Sequence, residues 1–516
     1  MPKTELNIPY STAEEIRTTV EHLRAQAQAQ TQRLSLAKRR EQLLALYRLT
    51  DENREAIDDA LRADFGRCYE DNNLCETMAV LRETAMAINR LETWCKPEPI
   101  PAELPYKTVE MELRRDPLGL VLIIGPWNYP FRLVLKPLVG ALAAGNTVVL
   151  KPSELATHTA TLIQRLVTKY LDPDVCRVVQ GGPSETTQLL EYRFDHIFFT
   201  GSPRVGQIVA AAAARYLTTT TLELGGKSPC CVLDDADLPI SLRRLYWGKN
   251  INAGQTCLAP DYLLCTPAAH DGIIATLRQV QDEFYPDGPR ESPAFSRVLN
   301  VTQFRRLRAL VEDALQTGAE VVVGGGLADW DEADLYIPPT CLTKVDPACR
   351  LMQEEIFGPI LPIVTVADLD AMITFINDRE HPLALYVFST DRRRADRIIA
   401  RTSAGSVCVN DTMLPTEGLY IPFGGVGQSG MGNYNGRHTF HTFSHAKPVL
   451  RNPLFFLPNL IWSARYPPYG HGAAPWKARV LNFLLAPEKL RGLNRGRSFV
   501  AANVAVLAGI LAYYFF

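Results

Sequence analysis

From Leu118 onward, the sequence alternates short apolar runs with longer stretches in which apolar residues recur at helical spacing. The first apolar runs are Gly119–Ile124, Thr147–Leu150, Val175–Val179, Ile197–Thr200 and Thr220–Leu224. The stretches with helical spacing between them are 131–144, 156–170, 185–192 and 203–216. Continuous apolar strands that alternate with helices are typical of βαβ units, whose parallel strands are buried on both faces. The sequence therefore predicts an α/β fold built on a doubly wound parallel sheet.

A second α/β stretch follows over roughly 229–410, and both flanks of the chain differ from it. Its predicted strands are Pro229–Val232, Tyr262–Cys265, Glu320–Val323, Ile360–Val364, Leu385–Phe388 and Ser406–Val409. The N-terminal part, from about Thr12 to Trp94, has apolar residues at helical spacing among many charges. Beyond Pro448 the chain is rich in proline and aromatic residues and then wholly apolar. With 516 residues, the chain is long enough for two or three domains.

Composition narrows the class of protein. With 47% hydrophobic and 21% charged residues, the chain has the balance of a globular protein rather than a disordered one. A formal net charge of −2 gives no overall basic field, so we expect no nucleic-acid partner. The 11 cysteines include no C-x-x-C pair, and the polar N-terminus does not read as a secretory signal. Both features favour a reducing, cytosol-facing compartment.

Two residues beside glycines are candidates for a nucleophile and its base. Cys257 ends the segment NAGQTC (252–257), and Glu223 lies near the end of an apolar strand, before two glycines. A cysteine acts as a nucleophile only where a base or dipole favours its thiolate. A carboxylate beside glycines can approach a ligand closely. Taken alone, Cys257 is also consistent with a buried structural thiol, and Glu223 is equally ambiguous.

The segment PWNYP (126–130) directly follows the predicted strand that ends at Ile124. Ligands bind at the carboxyl ends of the strands in a doubly wound sheet. The Asn128 amide could there donate a hydrogen bond to a developing oxyanion without a change of charge. A proline-rich turn closed by Asn128 is the alternative interpretation.

Two further strand ends carry candidate cofactor ligands. The segments KPSE (151–154) and GSPRVG (201–206) each follow a predicted strand, which places Lys151 and Glu154 at a carboxyl end. The second segment opens a helix, with Pro203 suited to the first turn. The N-terminus of that helix could receive a pyrophosphate, although the spacing differs from the common G-x-G-x-x-G fingerprint.

Seven ordered motifs together resemble the aldehyde dehydrogenase superfamily. They are PWNYP (126–130), KPSE (151–154), FTGSPRVG (199–206), LELGGKSP (222–229), GQTC (254–257), EEIFGP (354–359) and PFGGVGQSGMG (422–432). The longer segments RRDPLGLVLIIGPWNYPF, EEIFGPILPI and RHTFHTFSHAKP resemble the class 3 branch, which includes membrane-bound fatty aldehyde dehydrogenases. The resemblance covers about residues 12–468.

The resemblance implies a role for each matching residue. The family's catalytic roles would fall on Cys257 as nucleophile, Glu223 as general base and Asn128 as oxyanion donor. The residues implied in cofactor binding are Lys151 and Glu154 at a ribose, Gly201, Ser202 and Gly206 at the pyrophosphate, Glu355 and Phe357 at the nicotinamide ribose, and Trp127. The reaction expected is oxidation of an aldehyde to its acid through a thiohemiacetal and a thioester on Cys257.

The resemblance also implies an architecture: a helical and Rossmann-like cofactor domain, an α/β catalytic domain and a bridging sheet used in dimerisation. We therefore expect a homodimer. The predicted segments are an N-terminal helical part of the cofactor domain (1–100), the Rossmann-like NAD-binding domain (101–225), the catalytic domain (226–420), a bridging and oligomerisation segment (421–450), a membrane-proximal tail (451–497) and a transmembrane anchor (498–516).

Cofactor and substrate are predicted at different levels of detail. NAD is expected, with NADP possible, because Glu154 would accept a hydrogen bond from the ribose 2′-hydroxyl and repel a 2′-phosphate. A long-chain fatty aldehyde is the first choice of substrate, an apocarotenal or other isoprenoid aldehyde the second and an aromatic aldehyde the third. A thiol hydrolase or acyltransferase that uses Cys257 is the hypothesis from another class of enzyme, and a catalytically dead relative is a third.

We expect no metal site. His438, His441 and His445 are spaced like one face of a helix, but no acidic or thiolate ligand accompanies them.

The carboxyl end predicts a membrane anchor. The run 498–516 contains no charged residue and, as a helix, would span about 28 Å, close to the thickness of a bilayer's hydrocarbon core. The basic residues that precede it are Lys489, Arg491, Arg495 and Arg497, which places the catalytic body on the cytosolic side. A helix buried in a dimer is the alternative. The endoplasmic reticulum is favoured over the mitochondrial outer membrane, because no basic residue follows the span.

An amphipathic helix is predicted before the anchor. Its apolar face comprises Trp476, Val480, Phe483 and Leu484. The resemblance implies that this helix borders the substrate entrance, and packing on the body or on a partner subunit is the alternative.

Overall fold

The structure is a computed structural model that describes residues 8–29, 34–103, 106–107, 109–454, 462–467, 477–478 and 481–482. The chain divides into two compact units. The first comprises 1–95 and 116–445, and the second comprises 96–115 and 446–516. The domain boundaries predicted near residues 100, 225 and 420 stay predictions.

The described helices and strands confirm the α/β prediction. The helices are α1 (Ala13–Ala29), α2 (Leu36–Asp51), α3 (Arg54–Phe65), α4 (Tyr69–Asn72), α5 (Met78–Cys95), α6 (Arg132–Ala144), α7 (Thr157–Tyr170), α8 (Pro183–Leu189), α9 (Pro203–Ala214), α10 (Leu238–Asn250), α11 (Pro267–Phe284), α12 (Val301–Gln316), α13 (Arg350–Gln353), α14 (Leu369–Asn377), α15 (Arg392–Arg401), α16 (Leu414–Glu417) and α17 (Arg437–Thr442). The strands are β1 (Glu98–Pro99), β2 (Glu110–Pro117), β3 (Leu120–Ile124), β4 (Thr147–Lys151), β5 (Cys176–Val178), β6 (His196–Thr200), β7 (Thr219–Glu223), β8 (Pro229–Val232), β9 (Tyr262–Cys265), β10 (Glu320–Val323), β11 (Thr340–Thr343), β12 (Ile360–Thr365), β13 (Ala384–Phe388), β14 (Ser406–Val409), β15 (Gly430–Met431) and β16 (Ser444–Arg451).

A six-stranded sheet in the first unit has the order β15-β7-β6-β3-β4-β5. Its neighbouring strands are parallel except at β15, which pairs antiparallel with β7. The chain builds β3, β4 and β5 toward one side and then returns to place β6 and β7 on the other, as in a mononucleotide-binding sheet. Every residue of β3, β4 and β6 is buried, which explains why these strands read as continuous apolar runs.

Because these strands are parallel, their carboxyl ends meet at one edge of the sheet. The register pairs Ile124 with Lys151 and Thr200 with Glu223, so all four residues lie at that edge. The segments that follow β3, β4 and β6 therefore begin side by side, and they carry Trp127, Asn128, Glu154 and the start of α9. The other predicted residues, Cys257, Glu355 and Phe357, lie in later parts of the chain.

A seven-stranded sheet in the same unit has the order β10-β11-β12-β9-β8-β13-β14. Its neighbouring strands are parallel except for the antiparallel pair β10 and β11. The sequence reading missed β11, because the four residues TCLT give no strong apolar run.

The second unit contains a three-stranded sheet with the order β1-β2-β16. Arg451 pairs with Glu110 at 3.2 Å and with Glu112 at 2.9 Å. The residues of β2 are partly or fully exposed and many are charged, so the strand gives no apolar signal in the sequence. The bridging role that the resemblance assigns to the segment 421–450 stays a prediction.

Within the described part of the chain, no helix is both long enough and apolar enough to cross a bilayer. The predicted anchor at 498–516 and the four apolar residues of the predicted amphipathic helix lie outside the described residues.

Candidate active site

Cys257 follows a loop with an unusual backbone. Asn252, Ala253 and Gly254 have φ angles of 53°, 51° and 71°, in the left-handed region that residues with a Cβ rarely adopt. A Cβ at Gly254 would overlap the carbonyl group of Gly358, so this position needs glycine. Backbone strain of this kind persists only where the surroundings fix it, and it is concentrated at functional sites.

A set of amide hydrogen bonds joins the Cys257 loop to the segment after β3. Asn252 Nδ2 donates to the carbonyl oxygens of Asn128, at 3.0 Å, and Gln255, at 3.2 Å. Asn128 Nδ2 donates to the same Gln255 oxygen at 3.1 Å. This bond uses one of the two N–H donors of the Asn128 amide. The structure therefore brings the predicted oxyanion donor to the loop of the predicted nucleophile.

A hydrogen bond between Tyr129 and Thr256 also joins the segment after β3 to the Cys257 loop. The Tyr129 hydroxyl is 2.7 Å from Thr256 Oγ1, directly beside Cys257. The Arg67 guanidinium lies 5.1 Å from the centre of the Tyr129 ring and forms an ion pair of 2.7 Å with Glu76. Both partners of the ion pair are completely buried. These residues escaped the sequence reading, because the contacts join segments that are far apart in the chain.

Glu223 ends β7 as a buried carboxyl group. Neither of its carboxylate oxygens has a hydrogen-bond partner among the residues that the structure describes. Burial raises the pKa of Glu223 well above the ordinary value, and the positive charge of Lys136 acts in the opposite direction. An unpartnered carboxyl group with a shifted pKa at the carboxyl end of a strand is typical of a general base or acid.

The thiol of Cys257 belongs to the same electrostatic environment. Burial raises the pKa of Cys257 to about 12, and the negative charges of Glu355 and Glu223 add to this shift. The nearby Arg132 acts in the opposite direction. The surroundings of Cys257 therefore favour the neutral thiol, and the nucleophile needs a base to accept its proton.

Glu355 lies against the glycines that follow Glu223. A Cβ at Gly225 would overlap the Glu355 carboxyl group, and the Gly226 N–H donates a hydrogen bond to it. Burial, followed by the charge of Asp261, raises the pKa of Glu355 to about 8. Its Oε1 atom is buried without a hydrogen-bond partner among the described residues.

The aromatic candidates Trp127 and Phe357 also meet. Their ring centres are 5.2 Å apart at an interplanar angle of 86°, an edge-to-face contact. Phe357 has a φ of 54°, so it is another residue with a Cβ in the left-handed region. The segment that carries Glu355 and Phe357 therefore contacts the segment that carries Asn128.

Lys151, at the end of β4, is buried with its donors satisfied. Its Nζ donates to the carbonyl oxygens of Pro152, at 3.0 Å, and Gly181, at 2.6 Å, and to Glu154 Oε2 at 3.1 Å. Burial lowers the pKa of Lys151, and Glu154 counteracts that shift. The structure thus places Lys151 and Glu154 together beside the glycines that follow β5.

The GSPRVG segment forms the start of α9. Ser202 Oγ accepts a hydrogen bond from the Val205 N–H at 3.4 Å, and the Gly201 N–H donates to the Glu223 carbonyl oxygen at 3.0 Å. A Cβ at Gly206 would crowd the Leu224 side chain, so glycine allows α9 to pack closely on the end of β7. The helix N-terminus is suited to a phosphate group.

These residues fit a dinucleotide. The candidates for ribose and pyrophosphate contacts, at Lys151, Glu154 and the start of α9, lie at the same sheet edge as Glu223. The buried Glu355 Oε1 and Thr200 Oγ1 atoms have no hydrogen-bond partner among the described residues, so each has capacity for a ligand.

Lys136 is a further residue of the site that sequence reading missed. It lies in α6, whose residues are all buried, and its Nζ donates to the Thr416 carbonyl oxygen at 3.3 Å. The ammonium group is 5.5 Å from the centre of the Tyr434 ring. Burial, followed by the charge of Arg132, lowers the pKa of Lys136 to about 8. A lysine within the apolar run RLVLKPLVGALAA was the signal that could have identified it.

Comparisons with known proteins show what the chain is similar to. The model described as "Aldehyde dehydrogenase family" matches residues 3–449. The chain is 44% identical over 471 residues to aldehyde dehydrogenase family 3 member A2 of Macaca fascicularis, with 91% of this chain and 95% of that protein covered. It is 46% identical over 434 residues to the dimeric NADP-preferring aldehyde dehydrogenase of Rattus norvegicus, with 84% and 94% covered. The solved structure of the substrate-bound state of Staphylococcus aureus AldH has a TM-score of 0.84 at 38% identity, covering 90% of this chain and 97% of that one.

Proposed function

The chain belongs to the aldehyde dehydrogenase family, with class 3 relatives, and from this premise we propose that it oxidises an apolar aldehyde to the carboxylic acid with Cys257 as nucleophile. It is an oxidoreductase that uses NAD or NADP. The observation that carries the proposed mechanism is the hydrogen-bonded junction of the Asn128 and Cys257 loops, together with the Glu223 carboxyl group, which has no hydrogen-bond partner in the described part of the chain.

The first step forms a bond between Cys257 sulfur and the aldehyde carbon. Glu223 accepts the thiol proton, since the thiol is neutral at rest. The aldehyde oxygen becomes an oxyanion, which the Asn128 amide and the Cys257 backbone N–H stabilise. Trp127, Glu355 and Phe357 would hold the nicotinamide end of the cofactor, which when bound would supply the acceptor for the hydride that the thiohemiacetal loses as it becomes a thioester on Cys257.

The second step hydrolyses the thioester. Once the proton taken from the thiol has passed to solvent, Glu223 removes a proton from water, whose oxygen attacks the acyl carbon. The C–S bond then breaks, and the departing Cys257 thiolate takes the proton from Glu223. Burial suits Glu223 to this task, because its raised pKa makes the carboxylate a stronger base than an exposed glutamate. The acid and the free thiol are the products.

Cofactor binding is proposed for the eight residues that the motifs implied. Lys151 and Glu154 would hold the adenosine ribose, the start of α9 the pyrophosphate, and Glu355 with Phe357 the nicotinamide ribose. We expect NAD to be preferred, because the Glu154 carboxylate would repel a 2′-phosphate.

A long-chain fatty aldehyde is the proposed substrate, and a cytosol-facing tail anchor at 498–516 is proposed in support of it. An apolar aldehyde partitions into lipid, where an anchored enzyme would meet it. The endoplasmic reticulum is the proposed membrane. A homodimer is also proposed, in keeping with the rat relative that is named dimeric.

The test of activity is product analysis with purified full-length enzyme. Fatty, apocarotenoid and aromatic aldehydes are each incubated with NAD or NADP, and reduced cofactor and acid are measured together. Equal amounts of both, with the highest kcat/KM for the fatty aldehyde, are expected. Ester cleavage without cofactor reduction would instead favour the thiol hydrolase.

The test of the anchor is extraction of the full-length protein from membranes. We expect it to stay in the membrane fraction in high salt and in alkaline carbonate. Leu507→Arg should release it, because an arginine in the middle of the span is costly, whereas Leu507→Val should not. Release of the unmodified protein by salt alone would contradict the anchor.

A further inference from the structure

The segment before α1 runs beside the loop that follows β5. The Ser11 N–H donates to the Gln180 carbonyl oxygen at 2.9 Å, and the Gln180 N–H donates to Ser11 Oγ at 3.1 Å. These two hydrogen bonds fix the position of the preceding residue, Tyr10, next to Gly181 and Gly182.

The Tyr10 side chain lies over Gly182 with half of its surface exposed. Its relative exposure is 49%, and a Cβ at Gly182 would be 3.6 Å from the Tyr10 hydroxyl oxygen, an ordinary contact. Glu185 Oε2 accepts a hydrogen bond from the Gly182 N–H at 2.8 Å. Burial and the charges of Glu154 and Glu185 raise the pKa of Tyr10, which is consistent with a phenol close to both carboxylates.

Tyr10, Gly182 and Glu185 adjoin the proposed contact with the adenosine ribose, but none of these three residues offers a positive charge to a phosphate. The Lys151 ammonium group has three donors, and three acceptors already engage it: Pro152, Glu154 and Gly181. A ribose hydroxyl could donate to a carboxylate here. A 2′-phosphate would meet two carboxylates and a lysine whose donors are all in use.

We infer that Tyr10 and Glu185 form the outer wall of the adenosine-ribose pocket and select NAD over NADP. The inference rests on the proposed function, because it assumes that Lys151 and Glu154 face the ribose. The Tyr10 ring contributes contact with the ribose and occupies space that a 2′-phosphate would need. Glu185 adds a second negative charge that repels the phosphate.

The experiment is calorimetric titration of the full-length enzyme with NAD and with NADP, in the absence of aldehyde. Tyr10→Ala removes the ring that forms the wall. We expect the Kd for NAD to rise about fivefold and the ratio of the Kd for NADP to the Kd for NAD to fall. Glu185→Gln keeps an acceptor for the Gly182 N–H but removes the charge. It should tighten NADP binding about three- to tenfold and leave NAD binding almost unchanged.

Tyr69→Ala is the matched control, since Tyr69 is 47% exposed, begins α4 and has no part in the site. Tyr10→Ala values equal to those of Tyr69→Ala, with normal binding by the unmodified enzyme, would overturn the role of Tyr10. An unchanged Kd for NADP in Glu185→Gln would overturn the role of Glu185. Failure of the unmodified enzyme to bind either dinucleotide would instead overturn the proposed function itself.

Discussion

Two strands of the six-stranded sheet, β4 and β7, each end in a buried ionisable residue, and these two residues differ in their hydrogen bonding. Lys151 at the end of β4 and Glu223 at the end of β7 are each 3% exposed. Lys151 donates to three acceptors, whereas neither oxygen of Glu223 has a hydrogen-bond partner among the described residues. The same sheet edge thus holds one buried group whose hydrogen-bonding capacity is used and one whose capacity is not used by any residue that the structure describes.

We propose that this difference separates Lys151, which fixes the loops around the cofactor, from Glu223, which takes part in the reaction. A satisfied buried group fixes local geometry, and its hydrogen bonds compensate for the loss of water. An unsatisfied one costs roughly 1–3 kcal/mol of stability, so its presence points to chemistry. We therefore expect substitutions at the β7 side to lower kcat and substitutions at the β4 side to weaken cofactor binding.

The largest effect is expected for Cys257→Ser. A serine hydroxyl is a much weaker nucleophile, and no base here has been matched to its higher pKa, so kcat should fall by at least about 10³-fold. The Kd for NAD, measured by titration, should stay within a factor of two or so. A variant that keeps more than a few per cent of the normal turnover would remove Cys257 from the mechanism.

Glu223→Gln should lower kcat by about 10²–10³-fold, because thioester hydrolysis loses its base. Some hydride transfer should persist, so rapid mixing with aldehyde and NAD should give a burst of reduced cofactor followed by a slow phase. Mass spectrometry should then detect acylated Cys257. If no acyl-enzyme accumulates and only the affinity for NAD falls, Glu223 belongs with Lys151 as a binding residue and the comparison fails.

Lys151→Met tests the other side. It removes the three hydrogen bonds of the ammonium group, so the loops after β4 and β5 lose their shared contact. We expect the KM for NAD to rise about tenfold and kcat to change by less than about threefold. Steady-state rates measured against NAD concentration at saturating aldehyde give both the KM for NAD and kcat. A loss of kcat as large as that of Glu223→Gln would mean that the two strand ends share one role.

Much of the sheet and of the candidate site follows from local patterns in the sequence. The buried strands β3, β4 and β6 read as continuous apolar runs, and a parallel sheet brings their carboxyl ends together. The sequence alone therefore predicts that Asn128 and Lys151 lie at one edge of the sheet. Their roles came from the resemblance to a family and stay predictions.

The contacts that support the site could not be read from local patterns. The hydrogen bond between Tyr129 and Thr256 joins residues 127 positions apart, and no periodicity encodes such a pairing. The half-exposed, charged strand β2 has no apolar run to mark it. Lys136 is the exception, because a charged residue within the apolar sequence of the buried helix α6 is unusual and is visible in the sequence itself.

The smallest expected effect is a shift in the pH dependence of kcat when Lys136 is substituted. It tests whether a nearby charge tunes Glu223 as a base. Its positive charge favours the Glu223 carboxylate, which is the form that acts as a base. Without that charge the pKa of Glu223 should rise further, so a higher pH is needed to ionise it. Lys136→Met should therefore move the ascending limb of the kcat profile upward by about 0.5–1 pH unit.

Lys136→Arg separates this charge effect from a packing effect. Burial lowers the pKa of Lys136 to about 8, so the unmodified enzyme loses the supporting charge gradually as the pH rises through that value. An arginine stays protonated, and its variant should keep the ascending limb at the normal pH or slightly below it. The measurement is kcat against pH for the two variants and the unmodified enzyme, with the thermal midpoint as a check on folding. If both variants lose kcat equally at every pH, Lys136 only fills space beside Tyr434. Burial would then raise the pKa of Glu223 with no opposing effect from the Lys136 charge.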